Sequence, residues 1–289
     1  MALLLALVPA PALAHGGEAH GGWSPEPIVL VPLLLFGALY LIGLARLWSR
    51  SDKGRASLRR GAGYFAAGWA VLAGAVASPL HAAGEHSFTM HMIEHELIML
   101  PAALLLVLAR PGPVLLWAFP PPLRAGFAAL ARSGKGAWLL LSAPVAATIL
   151  QAAALWLWHM PPLFDRALDS EAWHVAQHLS FLTTALLFWW AMAHGRAGRA
   201  GYGTVALCLF LTTIVGGALG ALMAFSGSPW YAPYAALGMT PAGLSPAEDQ
   251  QLAGLIMWIP GGVFHAAAAL WFVYHWLKAS EVPHAVAAQ

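Results

Sequence analysis

Long apolar runs, separated by short polar breaks, organise the chain. Seven of them approach the ~20 residues with which a helix crosses hydrocarbon: about 27–48, 61–80, 90–110, 137–158, 173–194, 202–225 and 251–277. The pattern predicts an all-α, polytopic membrane protein, a seven-transmembrane-helix bundle occupying residues 27–278. Pro101, Pro144 and Pro260 fall within runs and are expected kink points, because neighbouring helices can satisfy the carbonyls that a proline frees. Gly216 and Gly220 form a small-xxx-small pair suited to close helix packing. Composition agrees with the pattern. A chain of 289 residues with 60% hydrophobic and 9% charged residues, and a mean hydropathy of +0.69, is more apolar than a soluble domain tolerates on its surface.

Charge gives a direction, since Lys and Arg favour the cytoplasmic side of a membrane. If the loop after the first run faces inward, so do Arg46, Arg50, Lys53, Arg55, Arg59, Arg60, Arg110, Arg124, Arg132, Lys135, Arg196, Arg199 and Lys278, leaving only Arg166 of the 14 basic residues outside. The expected topology therefore has the N-terminus outside and the C-terminus inside. All of the 12 acids except Asp52 and Glu281 then fall on the outer side. So do His15, His20, His81, His86, His91, His95, His159, His174 and His178 of the 13 histidines. The outer face becomes acidic and rich in imidazole.

The segments between and beyond the runs are short. Residues 1–14, "MALLLALVPAPALA", have the apolar core and small-residue ending of a signal peptide, without a basic residue before the core. Residues 15–26 read as a flexible His/Gly-rich lead-in and 279–289 as a cytoplasmic tail. The inner loop 111–136, broken by Pro120 to Pro122, reads as an interfacial hairpin with Trp117 and Arg124 at the headgroups. The outer loop Ser226 to Glu248 has Pro, Gly and aromatics, and is expected to fold over the helix ends as a lid. Cys208 is the single cysteine, so neither an internal disulfide nor a thiolate pair for a metal can form.

The third and fifth runs both open, on the outer side, with a His-xxx-His pair: His91 and His95, then His174 and His178. Residues four apart share a helical face, roughly 5–6 Å from each other. Two such pairs entering from one side could converge on one ion, and ionisable groups in membrane spans tend to face the bundle interior or a cavity. Met90, Met92 and Met99, and Met160 beside His159, add soft thioethers. Imidazole with thioether suits copper, Cu(I) above all, better than the oxygen-seeking magnesium or calcium. Singly, each methionine reads as apolar filling, and each histidine as a wet helix end. Two other chemistries fit the same residues. His91, Glu94 and His95 spell an inverted zincin box, although no distant partner signature accompanies it. Two histidines on different helices could also ligate haem. Further along, Asp249 is either the N-cap of the last helix or a carboxylate orienting an imidazole. His265, near mid-membrane, reads as a partner for a carbonyl freed by Pro260 or as a proton relay.

"HMIEHELIMLPAALLLVLARP", "WHMPPLFDRALDSEAWHVAQHLSFLTTALLFWW" and "SPAEDQQLAGLIMWIPGG" resemble, in order, the three signature blocks of the CtaG family of cytochrome c oxidase assembly factors, the polytopic membrane type. The resemblance covers about residues 27–277. It implies a seven-helix protein of the bacterial cytoplasmic (inner) membrane that matures the oxidase, with a role in supplying copper. The family's outer histidines map onto His91, His95, His159, His174 and His178, and its Asp-Gln pair onto Asp249 and Gln250. Where Glu94 stands the family often has an amide, and His265 departs from its pattern.

The expectation joining both lines is a metallochaperone, not an enzyme. Copper is held on the periplasmic side by His91, His95, His174 and His178, with His159, Met92 or Met99 as additional ligands. Glu94, Asp249 and Gln250 stand behind them. The expected partners are a cytochrome c oxidase subunit, docked through Trp156, Trp158, Trp189 and Trp190, and a periplasmic copper donor. The surroundings are lipid membrane, with no nucleic acid. The alternatives are a non-metal scaffold for oxidase assembly and a haem-binding membrane protein.

Overall fold

A computed structural model of the chain describes residues 27–195 and 198–286, with side chains placed for 27–195 and 201–278. The signal-peptide and lead-in readings, Arg196, and the side chains of Arg199 and the tail lie outside what is described. Everything described is helix and connecting turn. In chain order the helices are α1 (Pro27–Trp48), α2 (Arg55–Val76), α3 (Pro79–Gly84), α4 (Phe88–Leu97), a π-helical turn (Ile98–Ala102), α5 (Ala103–Ala109), α6 (Pro111–Trp117), α7 (Pro121–Ser133), α8 (Lys135–Leu141), α9 (Pro144–Trp158), α10 (Pro161–Asp169), α11 (Glu171–His194), α12 (Gly198–Ala224), α13 (Ala232–Leu237) and α14 (Pro246–Val286).

Among the described residues five stretches are long and apolar enough to cross a membrane: α1, the continuous Phe88–Ala109, α11, Gly201–Ala224 and Pro246–Lys278. A sixth arises if α8 and α9, bent by 70°, form one broken span. The remaining expected span, 61–80, corresponds to α2, a 22-residue helix whose first turns carry Arg55, Arg59 and Arg60 and which ends at Val76. Ser78 then starts a separate helix, its hydroxyl accepting from Leu80 N with Pro79 in the first helical position, an arrangement that favours a new start over continuation.

Proline has three different outcomes. Pro144 breaks its span outright, because the residue before a proline is pushed out of the helical region and Ala143 adopts φ −67°, ψ 137°. Pro101 is absorbed by the π turn, a common way of accommodating the missing N–H. Within that turn the Trp189 indole donates to the Met99 carbonyl at 2.9 Å. Pro260 lies inside a helix that continues through it from Pro246 to Val286. The loop around 111–136 is helical too, as α6 and α7, and α7 buries no residue. The Arg124 guanidinium sits 4.2 Å over the Trp117 ring, a contact the sequence reading did not include.

A close helix crossing joins α12 to α14. A Cβ on Gly220 would stand 2.7 Å from the Gly254 carbonyl oxygen, and one on Gly254 would stand 2.5 Å from that of Gly220. Gly220 thus acts as expected, but its partner is Gly254. Gly216 meets only a Leu155 methyl, at 3.7 Å.

Candidate metal centre

The site forms where the N-terminal ends of α4, α11 and α14 meet α3 and the end of α9. The sequence builds this corner through caps. Ser245 starts α14, its backbone N and hydroxyl both donating to Glu248 Oε2, at 2.8 and 2.7 Å, with Glu248 N returning to Ser245 Oγ at 3.4 Å. That is a capping box, so Asp249 is not the N-cap of its own helix. Its carboxylate instead caps α4, accepting from Ser87 Oγ (2.9 Å), Phe88 N (2.6 Å) and Thr89 N (3.2 Å). It orients the helix that carries His91 and His95, and these bonds use its oxygens on α4 rather than on an imidazole. Gln250 is likewise structural: Oε1 accepts from Trp230 N at 2.6 Å and Nε2 donates to the Ser228 carbonyl at 3.1 Å. These bonds hold down the 226–248 loop, which folds over the corner as expected. Its Tyr231 and Tyr234 are buried, and the Tyr231 ring stacks on Phe164 with centroids 4.0 Å apart.

Beneath this cover the imidazoles converge. His91, His95 and His178 bring ring nitrogens within 4.8 Å of one another, and so do His81, His174 and His178. His174 Nε2 lies 3.1 Å from His178 Nε2. Ligand nitrogens ~2.0–2.1 Å from one ion in tetrahedral geometry stand about 3.3 Å apart, so this pair already has nearly the separation of two ligands on one centre. His91 and His95 are each 1% exposed. His159 is one ring further in, 6.4 Å from His95 between centroids, and belongs to neither triad.

Hydrogen bonds point several Nε2 atoms at the cluster. The Tyr234 hydroxyl donates to the Gly84 carbonyl at 2.6 Å, so its oxygen accepts from His91 Nδ1, 3.1 Å away. That leaves the lone pair of His91 on Nε2, which is buried. Burial, with the carboxylates of Asp249, Glu94 and Glu85, raises the Tyr234 hydroxyl well above its ordinary range, so it stays a donor. His159 Nδ1 meets the Leu155 carbonyl at 2.7 Å, and its Nε2 is also buried and unpartnered. Burial holds His159 down to about 4, so this ring is neutral near pH 7. His81 Nδ1 lies 2.9 Å from Glu94 Oε1, and His178 Nδ1 lies 3.7 Å from the same oxygen. A carboxylate or carbonyl on the far ring nitrogen fixes the tautomer and makes the near one a better ligand. Glu94 therefore faces the Nδ1 atoms of both His81 and His178.

The methionines go elsewhere. Met92 packs with Phe88, Phe164, Met223, Tyr231 and Met257 in an apolar cluster, and Met99 Sδ accepts from Gln151 Nε2 at 3.6 Å. His265 is remote from the cluster. Its Nδ1 lies 2.9 Å from the Gly261 carbonyl, its own neighbour one turn back, rather than from a carbonyl freed by Pro260. Trp189, expected to face a partner, is 2% exposed and belongs to the core; a span packed on all sides by other helices is as apolar there as one facing lipid.

Sequence reasoning missed His81 and Tyr234 as members of the site. His81 sits in the one-and-a-half-turn helix that Ser78-Pro79 begins; that start signal, between two spans whose ends carry the other histidines, could have placed it. The cluster opens to a pocket of about 370 Å³, whose lining includes His81, His91, His174, His178 and the acids Glu85 and Glu171.

A model of the family described as cytochrome c oxidase caa3 assembly factor (Caa3_CtaG) matches residues 38–279. The chain belongs to this family. The matched residues contain both triads, the lid loop and the Asp249 cap. No curated protein and no solved structure matches the chain.

Proposed function

We propose that this assembly factor is a seven-span protein of the bacterial inner membrane that takes up copper as Cu(I) at the imidazole cluster on its periplasmic side and passes it to a cytochrome c oxidase subunit. The convergence of five imidazoles from three helices, with Nδ1 atoms of His81 and His91 engaged and ring nitrogens gathered inside, carries the reading. Imidazole donors suit copper, zinc, iron and nickel. Membership of an oxidase assembly family favours copper among them. Three neutral nitrogens suit Cu(I), which accepts low coordination numbers and is released by ligand exchange without breaking a covalent bond in a substrate. The exposed Glu85 and Glu171 at the pocket draw cations towards it. The rings pack against one another at centroid separations such as 4.3 Å for His91 and His95 or 5.0 Å for His95 and His178, a spacing that fits a single ion better than a haem macrocycle.

The test is complementation. Cells lacking this chain are supplied with the wild type or with the double variant His91→Ala, His178→Ala, both quantified in the membrane. Oxidase copper content and activity are expected to recover only with the wild type. Full recovery with the variant would leave a scaffold role. A Soret band in the purified protein would argue for haem.

A further inference from the structure

The two triads share His178 and differ in their access to solvent. The side chains of His81 and His178 retain 22% and 13% of their exposure, and His81, His174 and His178 all line the open pocket. His91 and His95 are almost wholly enclosed; His91 reaches the inner wall of that pocket, and His95 does not line it. The neighbouring sets are in contact: the rings of His91 and His174 stack at 5.2 Å with 13° between their planes.

We infer that the copper-binding reading above, on which this step rests, involves two alternative positions for one Cu(I) ion. The entry position is His81, His174 and His178. The holding position is His91, His95 and His178. The ion moves inward by exchanging His81 and His174 for His91 and His95, while His178 stays attached. Nothing is oxidised or reduced. The Nδ1 protons of His81 and His91 stay on their rings, donated to Glu94 and Tyr234, so the ligands remain neutral imidazoles throughout. Sharing one residue, and the repulsion of two cations a few ångströms apart in a medium of low dielectric, make the positions successive. Release to a partner then runs outward through the same pocket.

The full-length protein in detergent is mixed anaerobically with Cu(I) and then challenged with a Cu(I) chelator. The expected wild-type behaviour is one ion per chain and biphasic loading, with a first phase that quickens with copper concentration and a second that does not. His81→Ala should slow loading by about 10-fold or more while leaving release little changed. His95→Ala should load at the wild-type rate and lose copper to the chelator about 10–100-fold faster. His178→Ala should impair both by more than the ~10–100-fold typical of an outer-shell change. Two ions bound together, single-phase loading across the concentration range, or equal effects of His81→Ala and His95→Ala on both rates would overturn the two-position inference while copper binding stood. The wild-type kinetics decide even if a variant fails to fold. No uptake by the wild type would overturn this inference and the copper reading together.

Discussion

Asp249 offers the sharpest test of how the corner is assembled, because it touches no imidazole and yet positions the helix that carries two of them. Its carboxylate is 3% exposed and accepts from Ser87 Oγ, Phe88 N and Thr89 N. In Asp249→Ala, the two backbone N–H groups lose their acceptor inside the protein, at about 1–3 kcal/mol each. The Ser87 hydroxyl can turn elsewhere, and removing a buried charge recovers part of its desolvation. The favourable interaction of a carboxylate with the positive end of α4, about 0.5 kcal/mol, disappears as well. The net expectation is about 3–5 kcal/mol of destabilisation, and about half of that for Asp249→Asn, which keeps one acceptor oxygen. At roughly 2 °C per kcal/mol for a chain of this size, the apparent Tm of the detergent-solubilised alanine variant should fall by about 6–10 °C. Cu(I) affinity should fall with it, since the first turn of α4 leads directly to His91. A Tm within about 2 °C of wild type would refute the capping argument. Glu248→Ala is the control, because that exposed residue closes a capping box on its own helix and should change both readings far less.

Other expectations follow from single contacts. Glu94→Ala should weaken Cu(I) binding by about 10–100-fold in a chelator competition, whereas Glu94→Gln, retaining an oxygen for His81 Nδ1, should cost much less; loss of metal in both variants alike would count against the orienting role. Tyr234→Phe removes the acceptor of His91 Nδ1 and should lower affinity about 10-fold without altering the oligomeric profile on gel filtration. Gly254→Val, which drives a branched side chain into the Gly220 backbone, should destabilise the α12–α14 crossing by about 1–3 kcal/mol or more, read as lower yield and a lower Tm. Gly216→Ala, facing only a flexible Leu155 methyl, should be tolerated in the same assay.

How much could be read from sequence follows from where each interaction originates. The first span is bounded by the pattern alone, 27–48 against Pro27–Trp48, because it is continuously apolar up to Arg46 in its last turn. The fourth is not, because hydropathy runs straight through Ser142 and Ala143 while the Pro144 ring forbids the helix there. The paired histidines of α4 and α11 were visible because a spacing of four residues is local. His81 was hidden because its contribution comes from a short connecting helix with no period of its own. Asp249 looked like a cap for the helix that contains it, since sequence cannot distinguish a carboxylate that caps its own helix from one that caps another. Ser245 and Glu248, a complete capping box three residues apart, were the overlooked sign that α14 was already capped. The facing of the tryptophans was not legible at all: a helix face buried in protein and one turned to lipid are equally apolar, and Trp189 lies inside the core while its neighbour Trp190 packs half-buried against the same cluster.

X-ray absorption at the copper edge of the Cu(I)-loaded protein addresses the central claim most directly, that imidazoles brought together from α3, α4 and α11 grip one ion. The account predicts two or three nitrogen scatterers at ~2.0 Å with the outer-shell pattern of imidazole, and no sulfur shell at the longer distance of a thioether, because Met92 and Met99 are committed to the core. A sulfur-dominated first shell, or a spectrum unchanged in His91→Ala, His178→Ala, would contradict it.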